Sequence, residues 1–131
     1  MTQTLADLTR ALLDFRDERN WAQFHRLKDL MLSLSLEAAE VLELAQWKRD
    51  EELEAFAADP EGRALLADEC ADVFAYLLLL ADRAGIDLTE ALLLKLAKNA
   101  EKYPVATSYG RSDKYSRLPE LPVGKAKRRE R

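Results

Sequence analysis

Two pairs of acidic residues lie where the helical pattern of this sequence calls for apolar side chains. The first pair is Glu37 and Glu40, and the second is Glu69 and Asp72. At about 100° per residue, each pair falls on a stripe of a helix that otherwise carries leucine and other apolar residues. Carboxylates directed into a helical interior are very unfavourable unless a cation neutralises them. Oxygen ligands from facing helices suit Mg²⁺ or Mn²⁺, so the pattern predicts a divalent-metal site that contains all four acids.

The composition is typical of a helical protein of one domain. The chain has 131 residues, of which 48% are hydrophobic, with only 4 Gly and 4 Pro. Leucine, alanine and glutamate are abundant, and all three favour helices. We therefore predict an all-α fold.

The charges divide the chain into an acidic body and a basic end. Eight of the 20 Lys and Arg residues, but only three of the 24 Asp and Glu residues, lie from Arg111 onward. No basic face follows a helix, so we expect no nucleic-acid partner. We interpret residues 119–131 as a basic flexible tail outside the folded domain, residues 1–118.

The sequence predicts a cytoplasmic protein without a membrane segment. The apolar run from Val73 to Ala81 is too short to cross a bilayer of about 30 Å. The first residues lack the charged and apolar regions of a signal peptide. One cysteine, Cys70, excludes an internal disulfide and fits a reducing compartment.

Apolar spacing and capping signals predict four helices. They span Leu5 to about Arg19, Leu27 to about Lys48, Pro60 to about Ala84, and Leu88 to Tyr103. Residues 50–58 are predicted to be a solvated loop or a short helix. Pro104 is expected to end the helical region.

Aromatic residues lie close to the acidic helices in sequence. Trp21, Phe24 and His25 form the connector before the second helix, and Trp47 lies at the predicted end of that helix. Two interpretations remain open for the aromatics: they fill the core, or they line a ligand pocket. His25 alone is a weak indication of a ligand or a base.

Hydrogen-bond donors replace the acids on the last predicted helix, where Lys95, Asn99 and Tyr103 share a face with leucines. Metal and lysine together attract a polyphosphate, and aromatic rings stack on a base. The combination predicts metal-assisted hydrolysis of a nucleotide, with one carboxylate accepting a proton from the attacking water. Lys114 and Tyr115 are further candidates for contact with a phosphate-bearing ligand.

Glu37-x-x-Glu40, 28 intervening residues and Glu69-x-x-Asp72 resemble the signature of the all-α MazG-like nucleotide pyrophosphohydrolases. Further motifs resemble the dCTP pyrophosphatase branch of that family. They are Arg19-Asn20-Trp21-x-x-Phe24-His25, Gln46-Trp47-Lys48, Asp72-Val73-x-x-Tyr76-Leu77 and Lys95-x-x-x-Asn99-x-x-Lys102-Tyr103-Pro104. The resemblance extends from about Leu5 to Leu118. One departure is Leu12, where members of the branch can carry a histidine, so base preference stays open.

The resemblance implies Mg²⁺-dependent hydrolysis of a deoxynucleoside triphosphate, dCTP or a modified dCTP, to the monophosphate and pyrophosphate. It assigns the four acids to the metal and to catalysis. The expected substrate-binding residues are Trp21, His25, Trp47, Tyr76, Lys95, Asn99, Lys102, Tyr103, Lys114 and Tyr115. The resemblance also implies a four-helix bundle completed by oligomerisation. The expected homo-oligomer is a dimer or a tetramer, with sites at subunit contacts.

Three alternatives remain open at this stage. A second enzyme would use the same metal site on dUTP or on a broad set of non-standard nucleotides. A helical interaction module would neutralise the acids with basic residues of a partner. A carboxylate-bridged iron protein is disfavoured, because Glu-x-x-His pairs are missing and His25 is the only histidine.

Overall fold

The computed structural model describes residues 2–119 and contains six α-helices in that range, with no strand. Their bounds are α1 Leu5–Glu18, α2 Leu27–Glu43, α3 Asp50–Ala58, α4 Pro60–Ala84, α5 Leu88–Lys102 and α6 Val105–Ser108. Two short 3-10 helices span Ala22–Phe24 and Tyr115–Arg117. The all-α prediction is confirmed. The predicted basic tail is residues 119–131, of which residues 120–131 lie outside the described residues.

The chain divides into two compact units, Met1–Asp87 and Leu88–Arg131. In the first unit, the long helix α4 packs against α1, α2 and α3. The predicted capping residues lie at both ends of α4. At the N-terminus, the Asp59 side chain accepts hydrogen bonds from the backbone N–H groups of Glu61 and Gly62. Gly85 ends the helix in the left-handed conformation, with φ of 68°.

Glycine permits the close approach of α3 and α4. Gly62 is buried in the first turn of α4, and a Cβ atom at this position would collide with the backbone carbonyl of Phe56 on α3. Any larger residue would push the two helices apart. The stretch from Asp50 to Ala58 is therefore a short helix that is held against α4, one of the two alternatives predicted for it.

The buried core of the first unit is small. Its buried apolar side chains, among the described residues, are Leu30, Leu78, Leu79 and Ala81. Leu30 lies on α2 and the other three lie on the second half of α4. The core thus joins α2 to α4 at the level where Tyr76 also lies, and it fixes the two helices that carry the four acids.

Helix α2 ends earlier than predicted, at Glu43 rather than near Lys48. The backbone N–H groups of Leu44, Ala45 and Gln46 bond to carbonyls three residues earlier, which tightens the chain into turns. Trp47 then adopts a positive φ of 64° and reverses the chain toward α3. Apolar periodicity does not reveal such a reversal, because Leu44 and Ala45 still fit the helical stripe.

The second unit contains α5 and α6 in its described part. Pro104 was predicted to end the helical region, but α6 begins directly after it and Tyr115–Arg117 forms a further 3-10 turn. Proline is well tolerated just before a helix, since its missing N–H is not needed there. No residue of α5 is buried, and its leucines are more than half exposed: Leu92, Leu93, Leu94 and Leu96. No helix within residues 2–119 is long and apolar enough to cross a membrane.

Candidate metal centre and nucleotide pocket

The four predicted acids lie together across the α2–α4 contact. Glu37 and Glu40 come from α2, and Glu69 and Asp72 come from α4. One carboxylate oxygen from each lies within 4.8 Å of all the others. Residues three apart on a helix share a face, so each i, i+3 pair supplies two adjacent ligands. The prediction that spacing would bring these side chains together is confirmed by this geometry.

The cluster is less deeply buried than the apolar stripes predicted. Glu37 and Glu69 are half-buried, whereas Glu40 and Asp72 are exposed. Glu37 and Glu69 thus lie deeper in the α2–α4 contact, and Glu40 and Asp72 lie at its edge. The cluster is therefore open to a ligand from solvent on one side and closed by the helices on the other.

Unsatisfied oxygens indicate that the cluster lacks a positive partner. Oε2 of Glu37 and Oε2 of Glu69 are buried and have no hydrogen-bond partner among the described residues. Burial, a hydrogen bond with Glu40 and repulsion from the other acids raise the pKa of Glu37 to about 6. The same causes raise the pKa of Glu69. Buried polar atoms are normally paired, so the residues present fit a divalent cation, which would satisfy both oxygens.

An aromatic pocket lies in the same unit and has a volume of about 180 Å³. Its walls come from the connector before α2, from the first turns of α2 and from α4. The lining residues are Trp21, Phe24, His25, Asp29, Leu30, Ser33 and Tyr76. Trp21 and Phe24 are 45% and 61% exposed, so the core interpretation of these two aromatics is wrong.

Neighbouring residues hold the Trp21 ring in place. The ring packs edge-on against Phe15, with 5.9 Å between ring centroids, and the Arg19 guanidinium lies over Phe15 and beside Trp21. Asn20, with φ of 53°, turns the chain from α1 into the connector. The tryptophan therefore forms a pre-positioned flat wall, which suits the stacking of a base.

His25, in the connector before α2, adds a polar side chain to the wall of the pocket. Burial, together with the positive charge of Arg16, lowers the pKa of its imidazole, so the ring is neutral at neutral pH. Its Nδ1 atom is buried and has no hydrogen-bond partner among the described residues. The pocket therefore contains an unmet hydrogen-bonding group as well as aromatic walls.

The pocket and the acidic cluster lie side by side on the same two helices. Ser33 lines the pocket and lies one helical turn before Glu37 on α2, while Tyr76 lies one turn after Asp72 on α4. Residues four apart on a helix are about 6 Å apart along its axis. The distance from cluster to pocket thus suits a ligand with a charged group at one end and a flat ring at the other.

Two lining residues were not singled out by the sequence analysis, namely Asp29 and Ser33. Both lie on the side of α2 that carries Glu37: Asp29 is eight residues before Glu37, and Ser33 is four residues before it. The same periodicity that identified Glu37 could have found them. They were missed because Asp29 lies in the first turn of a helix, where an acid is common for electrostatic reasons alone.

Trp47 does not line this pocket. Its side chain is 94% exposed, which rules out the core alternative within this chain. The remaining predicted binding residues lie in the second unit, and three of them are in contact there. Tyr103 and Tyr115 pack edge to face at 6.2 Å, and Lys102 Nζ lies 5.1 Å from the Tyr115 ring. Lys95 and Lys114 are exposed, and Asn99 is half-buried.

The fold and the paired acids define a class of protein, and residues 32–118 match the profile of the MazG-like family. This chain belongs to that family. It is 44% identical to dCTP pyrophosphatase 1 of Bos taurus over 116 residues, which is 88% of this chain and 69% of the relative. The identity to dCTP pyrophosphatase 1 of Homo sapiens is 41%, over 88% of this chain and 68% of that protein.

A solved structure agrees with these relatives. The crystal structure of a pyrophosphatase from Archaeoglobus fulgidus matches with a TM-score of 0.71 and 40% sequence identity, covering 79% of this chain and 95% of the other. The predicted family and branch are thereby confirmed. The similarity to named pyrophosphatases favours an enzyme, a hydrolase of nucleoside triphosphates, over the helical interaction module.

Proposed function

We propose that this chain is a Mg²⁺-dependent dCTP pyrophosphatase that converts dCTP and water to dCMP and pyrophosphate. The observation that carries the proposal is the position of the four-carboxylate cluster beside the aromatic pocket. The 41% to 44% identity to dCTP pyrophosphatase 1 in mammals supports the substrate and the reaction. No comparable feature of the described residues favours dUTP or a broad set of nucleotides.

The cluster fits the phosphates and the cation. Glu37, Glu40, Glu69 and Asp72 would hold Mg²⁺, and Mn²⁺ could replace it, because both take carboxylate oxygens. When bound, Mg²⁺ neutralises phosphate charge and lowers the pKa of the attacking water. The bond between the water oxygen and the α-phosphorus forms as the bond from that phosphorus to the bridging oxygen breaks, and pyrophosphate leaves.

A carboxylate of the cluster accepts the proton of the attacking water. A base works best when its pKa is close to the working pH. In the metal-free chain the pKa of Glu37 is already raised to about 6, by burial and by its acidic neighbours. Bound Mg²⁺ would lower the pKa of the carboxylates that it contacts, so the base would be a carboxylate that is not fully committed to the cation.

The pocket would hold the base and the sugar. Trp21 and Tyr76 supply aromatic surfaces, and His25 supplies the unpaired nitrogen described above. The donors predicted for the phosphates are on the second unit: Lys95, Asn99, Lys102, Tyr103, Lys114 and Tyr115. The contact of Lys102 with the Tyr115 ring supports a role for these two as a pair.

The active form would be a homo-oligomer, a dimer or a tetramer. Leu92, Leu93, Leu94 and Leu96 are 54% to 62% exposed on α5, and large exposed apolar patches mark interaction surfaces. Trp47 at 94% exposure would then reach a nucleotide only at a subunit contact. The folded domain would comprise residues 1–118, with 119–131 as a basic tail, in the cytoplasm.

The test is identification of products from a panel of deoxynucleoside and ribonucleoside triphosphates, each with Mg²⁺ and with EDTA. The proposal expects dCMP and pyrophosphate from dCTP, and only with metal. Formation of dCDP and phosphate would mean attack at a different phosphorus. Equal turnover of many nucleotides would replace dCTP by a broad substrate class.

A further inference from the structure

We infer that Asp29 sets the base preference of the pocket: its carboxylate accepts a hydrogen bond from the 4-amino group of cytosine and thereby selects dCTP over dUTP. The inference rests on the proposed function and names a specificity residue within it. Its basis is the position of a carboxylate in the wall of an otherwise aromatic pocket.

The aromatic walls cannot make this distinction by themselves. Trp21, Phe24 and Tyr76 present flat apolar surfaces, and stacking is tolerant of base identity because every base has a π-face. Cytosine and uracil have nearly the same shape and differ at C4, where cytosine carries an amino group and uracil a carbonyl oxygen. Discrimination between them therefore requires a polar group in the pocket wall.

A carboxylate has the required chemistry. An ionised Asp side chain only accepts hydrogen bonds, and an acid is a known partner for the amino group at C4 of cytosine. The same carboxylate would face the carbonyl oxygen of uracil as a second acceptor. One base gains a hydrogen bond, while the other leaves two acceptors opposed in a partly desolvated site, and leaving polar groups unpaired is costly.

The existing partner of Asp29 leaves it able to bind a base. Oδ2 of Asp29 accepts a hydrogen bond from Nε of Arg26 at 2.8 Å, and Arg26 is its hydrogen-bond partner among residues 2–119. The Arg26 side chain is 80% exposed and that of Asp29 is 38% exposed. An exposed ion pair of this kind contributes little, and the carboxylate keeps a second oxygen for the amino group.

Two other groups make the pocket fit the pairing edge of a pyrimidine. His25 lines the same pocket, and its buried Nδ1 has no partner among the described residues. Ser33 follows Asp29 by one turn of α2 and adds a hydroxyl to the wall. Glu37 follows Ser33 by one further turn. A base held at Asp29 thus lies two turns, about 12 Å along the helix, from the first acid of the cluster.

The experiment compares Asp29→Asn with Arg26→Gln in competition between equal concentrations of dCTP and dUTP. Both variants break the Arg26–Asp29 ion pair, but only the first removes the carboxylate. We expect the ratio of kcat/KM for dCTP to kcat/KM for dUTP to fall about tenfold or more in Asp29→Asn. In Arg26→Gln the ratio should stay within about twofold of wild type.

An unchanged ratio in Asp29→Asn would overturn the inference, and so would an equal fall in both variants, which would trace the effect to the ion pair. Binding of dCMP and dUMP, measured by calorimetry, gives a readout that does not depend on turnover. Wild type should prefer dCMP, and Asp29→Asn should lose that preference. If wild type hydrolyses no nucleotide yet prefers dCMP, the proposed function fails and the assignment of Asp29 stands.

Discussion

Glu37 on α2 and Glu69 on α4 face each other across the contact between these helices, and each buries a carboxylate oxygen that no described residue satisfies. Two like charges held close in a half-buried site destabilise the folded chain. The small core at Leu30, Leu78 and Leu79 keeps the helices together in spite of this repulsion. The site is therefore pre-organised for a cation and strained without one.

Removal of one charge from the cluster should separate stability from activity. We expect Glu40→Gln and Asp72→Asn each to lower kcat/KM for dCTP by about a thousandfold, because a metal ligand contributes several kcal/mol to the transition state. Without metal, both variants should melt at a higher temperature than wild type, since each removes repulsion. Steady-state kinetics and circular-dichroism melting in EDTA measure the two effects.

Glu43→Gln is the matched control for these variants. Glu43 is an exposed acid on the last turn of α2 and does not belong to the cluster. Its neutralisation should change neither kcat/KM nor melting temperature appreciably. Normal activity in both Glu40→Gln and Asp72→Asn would remove these residues from the metal site.

The stability of the metal-free chain should depend on pH through Glu37. The pKa of Glu37 is raised from 4.5 to about 6 in the folded chain, so the folded state binds this proton more tightly than the unfolded state. The stabilising contribution is complete below pH 4.5 and is lost as the pH rises through about 6. Solvent screens this half-buried group and reduces the effect, so we expect the melting temperature in EDTA to fall by roughly 2–4 °C over this range.

The difference between wild type and Glu37→Gln isolates this effect, because the variant has no proton to lose. The comparison is necessary because His25 changes stability with pH in the opposite direction. The pKa of His25 is lowered in the folded chain, so protonation of its ring at acidic pH destabilises the fold. With Mg²⁺ added, the melting temperature of wild type should instead rise with pH, because the metal binds only ionised carboxylates. Identical pH profiles for wild type and Glu37→Gln would contradict the raised pKa.

The fold could be predicted where local signals and periodicity agree. The cap at Asp59 and the glycine at position 85 gave the ends of α4 correctly, because both act within one or two turns. The end of α2 could not be found in this way. The helix gives way to tight turns at Leu44 to Gln46, and Trp47 then adopts a positive φ, which no propensity of tryptophan favours. The short helix after Pro104 was missed because proline only excludes helix on its N-terminal side.

Site residues could be predicted where a charged side chain interrupts the apolar stripe of a helix. An acid on an apolar stripe is conspicuous, so all four members of the cluster were found. Asp29 and Ser33 are less conspicuous, since an acid is common in the first turn of a helix and a serine is unremarkable on a helix surface, and the three-dimensional pocket identifies them directly. Their roles, like those of Lys95 and Asn99, remain predictions.

Trp47 offers a test of strain at an exposed aromatic residue. We expect Trp47→Gly to be more stable than Trp47→Ala by about 1 kcal/mol, because only glycine adopts a φ of 64° without cost. Both variants lose the ring, so both should raise the KM for dCTP by about five- to a hundredfold. Urea denaturation and steady-state kinetics measure these quantities. Equal stability of the two variants would contradict the left-handed backbone, and an unchanged KM would exclude Trp47 from the substrate site.

The exposed leucines of α5 should determine the oligomeric state. We expect wild type to be a dimer or a tetramer by light scattering, and Leu93→Glu to dissociate it, since a charge in an apolar interface is strongly unfavourable. Leu93 is 62% exposed within the single chain, so the substitution should not unfold the helix. Lys98→Glu, on the same helix, serves as the control and should leave the assembly intact. A monomeric wild type would contradict the proposed assembly.

The most direct test of the account is a titration of pyrophosphate release from dCTP with Mg²⁺, in wild type and in Glu69→Gln. Wild type should release no pyrophosphate in EDTA and should reach a saturating rate as Mg²⁺ is added. Glu69→Gln should require at least about tenfold more Mg²⁺ or show no release, because one ligand of the cation is lost. Release in EDTA, or the same Mg²⁺ dependence in both proteins, would contradict the claim that the four carboxylates hold the catalytic metal.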